Sequence, residues 1–321
     1  MAVHPAPPFD PELEGVLVAL AATVPPTITP EMVGRFRALP ADPTVGGLVA
    51  ELGIAHEQRT IAGHGGDAIE ISVFRRPDPD PDPERARPGI LYLHGGGMVF
   101  GNRYGGVAAY LPFVLSHGAT VVAVSYRLAP EHPDPVPVED CFAALRWTAE
   151  DAGIDRSKVI VTGQSAGGGL AAGTALLARD RGGPAIAGQI LVSPMLDDRN
   201  DSVSAQQIDG VGVWDAASNL TGWNALLGDR RGGDGVQPSS APGRAEDLSG
   251  LPPAFVSVGS AEVFRDEAVR YASRMWADGG VAELHVWPGA FHGFENFAPH
   301  ARLSIAAAAA RDAWLTRVLE R

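Results

Sequence analysis

Apolar and polar residues follow different rhythms along this chain. The segment from Asp10 to about Gly53 carries no strand signal. It reads as helices separated by proline: Pro11 to Thr23, then Thr29 to Leu39 with Thr29 capping ahead of Pro30. From His56 to Phe74 the pattern turns to alternation, with Ile69, Ile71 and Val73 on one face and Gly63, Gly65 and Gly66 marking a hairpin turn. This predicts an edge pair that opens a sheet.

Beyond residue 88 come compact apolar runs: Gly89 to Leu93, Thr120 to Val124, Val159 to Thr162, Gln189 to Val192, Ala254 to Val258 and Glu283 to Val286. Helix-length stretches lie between them, among them Gly105 to His117, Val136 to Asp151 and Ala166 to Arg181. Short β-rich runs alternating with helices predict an α/β fold, a mostly parallel central sheet with helices on both faces. The Asp and Pro alternation of Arg75 to Pro88 predicts an exposed loop. The interval Asp197 to Leu251 breaks the strand and helix rhythm. It holds Trp214 and Trp223 in an expected helix, then a Gly/Pro/Ser-rich run from Gly228 to Gly243, and reads as an insertion over the sheet. Residues 1–53 are therefore expected to be N-terminal cap helices, and 54–321 a catalytic domain with a cap insertion at about 197–251.

Charge and composition narrow the function. With 25 basic and 38 acidic residues the net charge is −13, which gives counterion release at a phosphate backbone little to work with, so nucleic acid is not the expected partner. A single cysteine, Cys141, excludes an internal disulfide and a thiolate metal cluster, and reads as a small buried hydrophobe. The apolar stretch Val16 to Val24 lacks a basic leader, follows Asp10, Glu12 and Glu14, and ends at Pro25 and Pro26. No signal peptide or membrane span is expected, and the location expected is cytoplasmic. The one lysine, Lys158, follows Ser157 rather than a glycine, which excludes a P-loop.

Two peptides carry chemistry. In VIVTGQSAGGGLAAG a strand runs into Gly163-Gln164-Ser165-Ala166-Gly167 and then a helix of small residues, the pattern of a nucleophile elbow. Such a turn presents Ser165 at the N-terminus of the next helix, whose free amides favour developing negative charge. In ILYLHGGGMVFGN a strand ends at His94, and Gly95, Gly96 and Gly97 can turn backbone amides toward an oxyanion with no side chain in the way. His64-Gly65-Gly66 repeats the string inside the hairpin turn, where it reads as structural.

HGGG at His94 to Gly97, SYRLAPEHP at Ser125 to Pro133, the elbow at Gly163 to Gly167 and FHGF at Phe291 to Phe294 stand in an order that resembles the hormone-sensitive-lipase-like family of α/β-hydrolases. The resemblance runs from about Arg87 to the C-terminus and implies an α/β-hydrolase fold with a helical cap. It implies an oxyanion hole made by the amides of Gly95, Gly96 and Ala166. Chain order in the fold is nucleophile, acid, histidine, so His292, where the family keeps its histidine, is the expected base. The family commonly has an aspartate heading a DPLRDE-like stretch. Aligning Arg265-Asp266-Glu267 with its end puts Glu262 in that place as the acid, with Asp266 as the rival, expected instead to complement the start of a helix. The family elbow most often has an acidic residue where Gln164 stands.

The expected activity is that of a serine carboxylesterase, hydrolysing short-acyl or aryl esters through an acyl-enzyme with no cofactor and no metal. The alternatives are a pathway-specific amidase, lactonase or lyase on the same fold, and a non-catalytic small-molecule-binding member of the family. Met98, Val99, Trp214, Phe294 and the N-terminal helices are expected to wall an apolar substrate pocket. Tyr126, Arg127 and Glu131 are expected to hold the loop behind the oxyanion turn, and Asp197 and Asp198 to make capping or loop hydrogen bonds. The expected partner is a small ester, and a homo-oligomer is left open.

Overall fold

The computed structural model describes residues 4–40, 44–77, 87–151 and 153–320. The two arms of the hairpin are β1 Ala55–Ala62 and β2 Ala68–Arg75, and every compact apolar run is a strand, extended by at least one residue: β3 Arg87–Leu93, β4 Thr120–Ser125, β5 Ile154–Gln164, β6 Gly188–Val192, β7 Ala254–Gly259 and β8 Ala282–Trp287. They form one sheet in the order β1-β2-β4-β3-β5-β6-β7-β8. β1 pairs antiparallel with β2, and β2 with β4, while the remaining pairs are parallel. The hairpin is thus an edge pair, as its alternation requires.

The helices are α1 Pro11–Leu20, α2 Val33–Arg37, α3 Thr44–Leu52, α4 Pro112–Ser116, α5 Val136–Glu150, α6 Ala166–Asp180, α7 Val203–Gln207, α8 Ala216–Leu227, α9 Arg265–Ala277, α10 Phe294–Phe297 and α11 Arg302–Leu319. Side chains alternate across each central strand, so one chain segment feeds two cores. Leu91, Val122, Val161, Leu191 and Val256 pack with α5, α6 and α9, whereas Ile90, Val121, Ile160, Ile190 and Phe255 pack with α4 and α11. Burial on both faces is why these strands read as unbroken β-branched runs.

Four expectations need correction. The stretch from Gly105 to His117 is a 3₁₀ turn at Val107–Tyr110 followed by the short α4, because Gly106 takes φ +90° and Pro112 starts a new helix. Thr29 stands ahead of Pro30, but its hydroxyl bonds the Glu31 carboxylate at 2.6 Å rather than a free amide. Trp214 lies outside α8, since Asp215 is the N-cap and accepts from Ser218 N. Arg75, Arg87 and Pro88 belong to strands, with Pro88 at a register irregularity where its missing donor is tolerated, and residues 78–86 of the expected loop lie outside the described residues.

The helix-only N-terminal segment divides. Leu13 of α1 packs with Phe291 and Phe294, and Val33 of α2 joins the core that contains Met98, Val99 and Trp214. Val45 of α3 instead packs with Phe113 and Val114 on the other face of the sheet. Among the described residues no helix is long and apolar enough to cross a membrane.

Candidate active site

β5 ends at Gln164 and α6 begins at Ala166, so the chain must reverse direction at Ser165. Ser165 does so with φ +59° and ψ −124°, a conformation costly for any residue with a Cβ and held here from several sides. Its N–H donates to Val192 O at 2.9 Å, and its carbonyl accepts from Gly169 N and Met195 N. The reversal brings α6 hard against β3: a Cβ on Gly167 would lie 2.0 Å from Leu93 O, so no other residue fits there. Ser165 is 6% exposed, with its hydroxyl at the start of α6.

The glycine turn leaves β3 beside it. A Cβ placed on Gly95 would stand 3.4 Å from Ser165 Cβ, which puts this turn against the elbow. Gly96 takes φ +111°, and a Cβ there would overlap Phe100 O at 2.2 Å, so the turn closes only with glycine. Tyr126 holds the turn from behind: its hydroxyl donates to His94 O at 2.8 Å and its ring stacks on His94 at 4.2 Å. His94 Nδ1 lies 2.7 Å from Gly95 O, and burial lowers the imidazole pKa to about 4, so the ring is neutral. Arg127 reaches Asp140, His64 O and Asp67, while Glu131 pairs with Arg37, whose guanidinium also donates to Val99 O and Ala129 O. These groups brace the loop that carries the turn.

The three distant side chains meet. His292 Nε2 is 3.0 Å from Ser165 Oγ, and His292 Nδ1 is 3.3 Å from Glu262 Oε1. Glu262 is fully buried in the loop between β7 and α9, and its second oxygen accepts from Ser193 Oγ at 2.7 Å and Gly259 N at 3.1 Å. Asp266 is elsewhere, in the first turn of α9, bonded to Ser204 N and Arg265. Next to it Glu267 accepts from Leu196 N, and burial pushes its carboxyl well above the ordinary range, which favours its neutral form near Glu262. Phe264 meets the His292 ring edge-on at 5.1 Å. Of the other histidines, His285 stacks on Trp287 within β8, and His300 is exposed.

A cavity of about 330 Å³ opens above Ser165, Gly95, Gly96 and His292, with Trp214 in its wall. Met98, Val99 and Phe294 do not line it. The turn folds back on itself, with Val99 N bonded to Gly96 O and Ala129 N to Met98 O, and this drives Met98 and Val99 into the core. Phe294 is buried with Leu13 and Phe291. Phe100 and Phe297 are the aromatic wall in their place. Asn296, unremarked in the sequence, donates to Gln164 Oε1 at 2.6 Å and so fills the position usually acidic with a neutral amide pair. Ser193 was also missed, although its place at the end of the strand next to the elbow was a signal. Asp197 and Asp198 face Arg199, Arg270 and Arg244.

A profile of the alpha/beta hydrolase fold matches residues 90–296. Carboxylesterase NlhH of Mycobacterium tuberculosis is 36% identical over 306 residues, covering 90% of each chain. An arylesterase of Saccharolobus solfataricus is 34% identical over 195 residues, 59% of this chain and 62% of its own. Among solved structures, a bacterial heroin esterase superposes with a TM-score of 0.84 at 34% identity, covering 97% of this chain and 98% of its own. The matched span, residues 90–296, takes in every motif of the site. The chain belongs to the hormone-sensitive-lipase-like family of α/β-hydrolases and is a carboxylic ester hydrolase.

Proposed function

We propose that this hydrolase cleaves short-acyl or aryl esters through an acyl-enzyme formed on Ser165. His292 acts as base and then acid, Glu262 orients it, and the amides of Gly95, Gly96 and Ala166 hold the oxyanion. The observation that carries the reading is the unbroken relay from Ser165 Oγ through His292 to Glu262. With the proton held on Nδ1 and its N–H donating to the Glu262 carboxylate, Nε2 is left as an acceptor for the serine hydroxyl. As Oγ bonds to the ester carbonyl carbon, its proton passes to Nε2 and the carbonyl oxygen becomes an oxyanion facing the glycine turn and the start of α6. Collapse breaks the bond to the leaving oxygen, which takes the proton from Nε2 and departs as the alcohol. Water then repeats the attack on the acyl-enzyme and releases the acid.

The size and largely apolar wall of the cavity favour an uncharged substrate of modest length, and the name of the arylesterase relative supports aryl esters. The segments around α1 and α2 and residues 197–251 are proposed as its cap, supported by Val24, Ile28, Phe36 and Trp214 in the cavity wall. Cytoplasmic residence is proposed with it, supported by the single, buried cysteine.

Hydrolysis of p-nitrophenyl esters across acyl lengths, by the wild type and Ser165→Ala, tests the reading. We expect highest turnover on short acyl groups and a loss of at least about 10³-fold in Ser165→Ala. Equal rates in the two proteins would end the proposal.

A further inference from the structure

His292 has far to reach. It follows β8, which stands three strands from β5 in the sheet, yet its imidazole meets the hydroxyl that follows the end of β5. The approach to His292 is held on one side, where Gly289 O accepts from Asp10 N and Ala290 O from Ala261 N. On the other side the chain turns at Gly293, with φ +78°, into α10. α10 is four residues long, and so short a helix does not persist unaided. Whatever holds α10 therefore sets the far side of the histidine.

Two adjacent residues of α10 fasten it to the strand that carries the nucleophile. Asn296 Nδ2 donates to Gln164 Oε1 at 2.6 Å. Glu295 accepts from Arg311 of α11 at 3.2 Å, in an ion pair with both side chains only 10% exposed. The Arg311 guanidinium lies over the Tyr110 ring, 5.3 Å from its centre, and is steadied by a second carboxylate, Asp312, at 2.9 Å. Tyr110 in turn bonds Thr162 Oγ1 at 2.7 Å, and since Thr162 donates to Ile190 O, Tyr110 is the donor.

Thr162 and Gln164 are two apart on β5 and so project from one face of the strand, just ahead of Ser165. Both fastenings of α10 therefore end on the nucleophile's own strand. Neighbouring side chains on a helix point about 100° apart, so two directional bonds from consecutive residues fix the rotation of α10 as well as its distance. Apolar packing alone would leave it free to slide.

We infer that the Asn296–Gln164 bond and the Glu295–Arg311 pair act together as a clamp that sets His292 at bonding distance from Ser165. Gln164, Glu295, Asn296 and Arg311 are then positioning residues for the proton transfer. This rests on the reading in which His292 takes the proton of Ser165. The transfer is steeply sensitive to distance, since a displacement of about 1 Å costs on the order of 10²-fold in rate.

The test is kcat on p-nitrophenyl acetate per active site, with sites counted by the burst from a p-nitrophenyl alkylphosphonate so that misfolded protein drops out. Asn296→Ala and Gln164→Leu should each lower this kcat about three- to tenfold, and the double variant should be no worse than the lower single, because both remove one bond. Asn296→Ala combined with Arg311→Met should fall by more than the product of the single effects, since each fastening holds α10 while the other is missing. Gln164→Glu keeps an acceptor for Asn296 and should recover most of the turnover lost in Gln164→Leu. If Arg311→Met does not fold, Glu295→Gln weakens the same pair and leaves Arg311 with Asp312. A merely structural role would lower the melting temperature and leave kcat per site unchanged. That result, or Gln164 and Asn296 effects that simply multiply, would overturn the inference. Turnover lost in His292→Ala reports on the acyl-enzyme reading itself, so a failed clamp and a failed reading are told apart.

Discussion

Ser193 Oγ stands 2.7 Å from Glu262 Oε2, the carboxylate oxygen other than the one that faces His292. Ser193 is buried at the end of β6 with φ +43°, a conformation that costs a residue with a Cβ on the order of 1–3 kcal/mol. Its hydroxyl and the Gly259 amide occupy Oε2 and leave Oε1 for the imidazole. A glutamate reaches the histidine through one more methylene than an aspartate would, so it has one more rotamer to fix, and Ser193 fixes it.

Ser193→Ala should lower kcat by about tenfold with KM little changed, since a hydrogen bond to a charged group is worth roughly 1.5–3 kcal/mol and only the orientation of the acid is lost. Ser193→Gly should show the same fall in kcat while melting at a higher temperature than Ser193→Ala, because glycine relieves the backbone conformation. If activity instead tracked melting temperature across the two variants, Ser193 would be structural alone.

Glu262 and Asp266 make opposite predictions although they are four residues apart. Glu262→Gln keeps the shape but loses the charge that stabilises protonated His292 and fixes its tautomer, so kcat should fall by about 10³- to 10⁴-fold. Asp266→Asn removes an acceptor for Ser204 N at the start of α9 and should leave kcat within about threefold while lowering the melting temperature. Steady-state kinetics on both variants decides the matter, and a larger fall in Asp266→Asn would reverse the assignment.

The parts legible in the sequence were those where one physical demand dominates. Strands buried on both faces must be β-branched, so β3 to β7 announced themselves. The elbow must have glycines where α6 touches β3, so Gly163 and Gly167, set between a strand and a helix of small residues, pointed to Ser165. Glu262 came from the family resemblance with Asp266 as its rival, and the contact with His292 separates the two. The pocket wall was not legible, because it depends on which way each side chain of a folded-back turn points. Met98, Val99 and Phe100 are equally apolar, and only the bonds from Val99 N to Gly96 O and from Ala129 N to Met98 O send the first two inward. Ser193 was hidden for a similar reason: its importance lies in a contact 69 residues away.

The tie at Asp215 predicts a local loss of order. This carboxylate is fully buried and accepts from Thr27 Oγ1, Gly210 N and both Ser218 donors. Asp215→Ala removes the cap of α8 and frees residues 24–28 from the neighbouring turn, at a cost of about 1–3 kcal/mol. We expect faster cleavage of the N-terminal segment in limited proteolysis and a several-fold rise in KM for aryl esters, with the proteolytic core intact. Unchanged cleavage at the N-terminus would show that Asp215 does not hold this segment.

His94 sets an acid limit on stability. Its pKa is lowered from 6.5 to about 4 by burial behind the glycine turn, where Nδ1 bonds Gly95 O and Nε2 has no partner among the described residues. Between these two values the unfolded chain binds a proton that the folded chain refuses, so stability rises with pH across this window and is lost as pH falls from about 6.5 toward 4. The shift corresponds to on the order of 3 kcal/mol. His94→Phe keeps a ring to stack on Tyr126 but cannot titrate. It should melt below the wild type at pH 7.5, because Gly95 O loses its donor, yet the gap should shrink steadily as pH drops to 4.5. Turnover should fall at every pH, since the turn that faces the oxyanion is no longer pinned. Melting curves of the two proteins from pH 4.5 to 7.5 check the sign, and parallel acid limbs would mean that some other group governs acid unfolding.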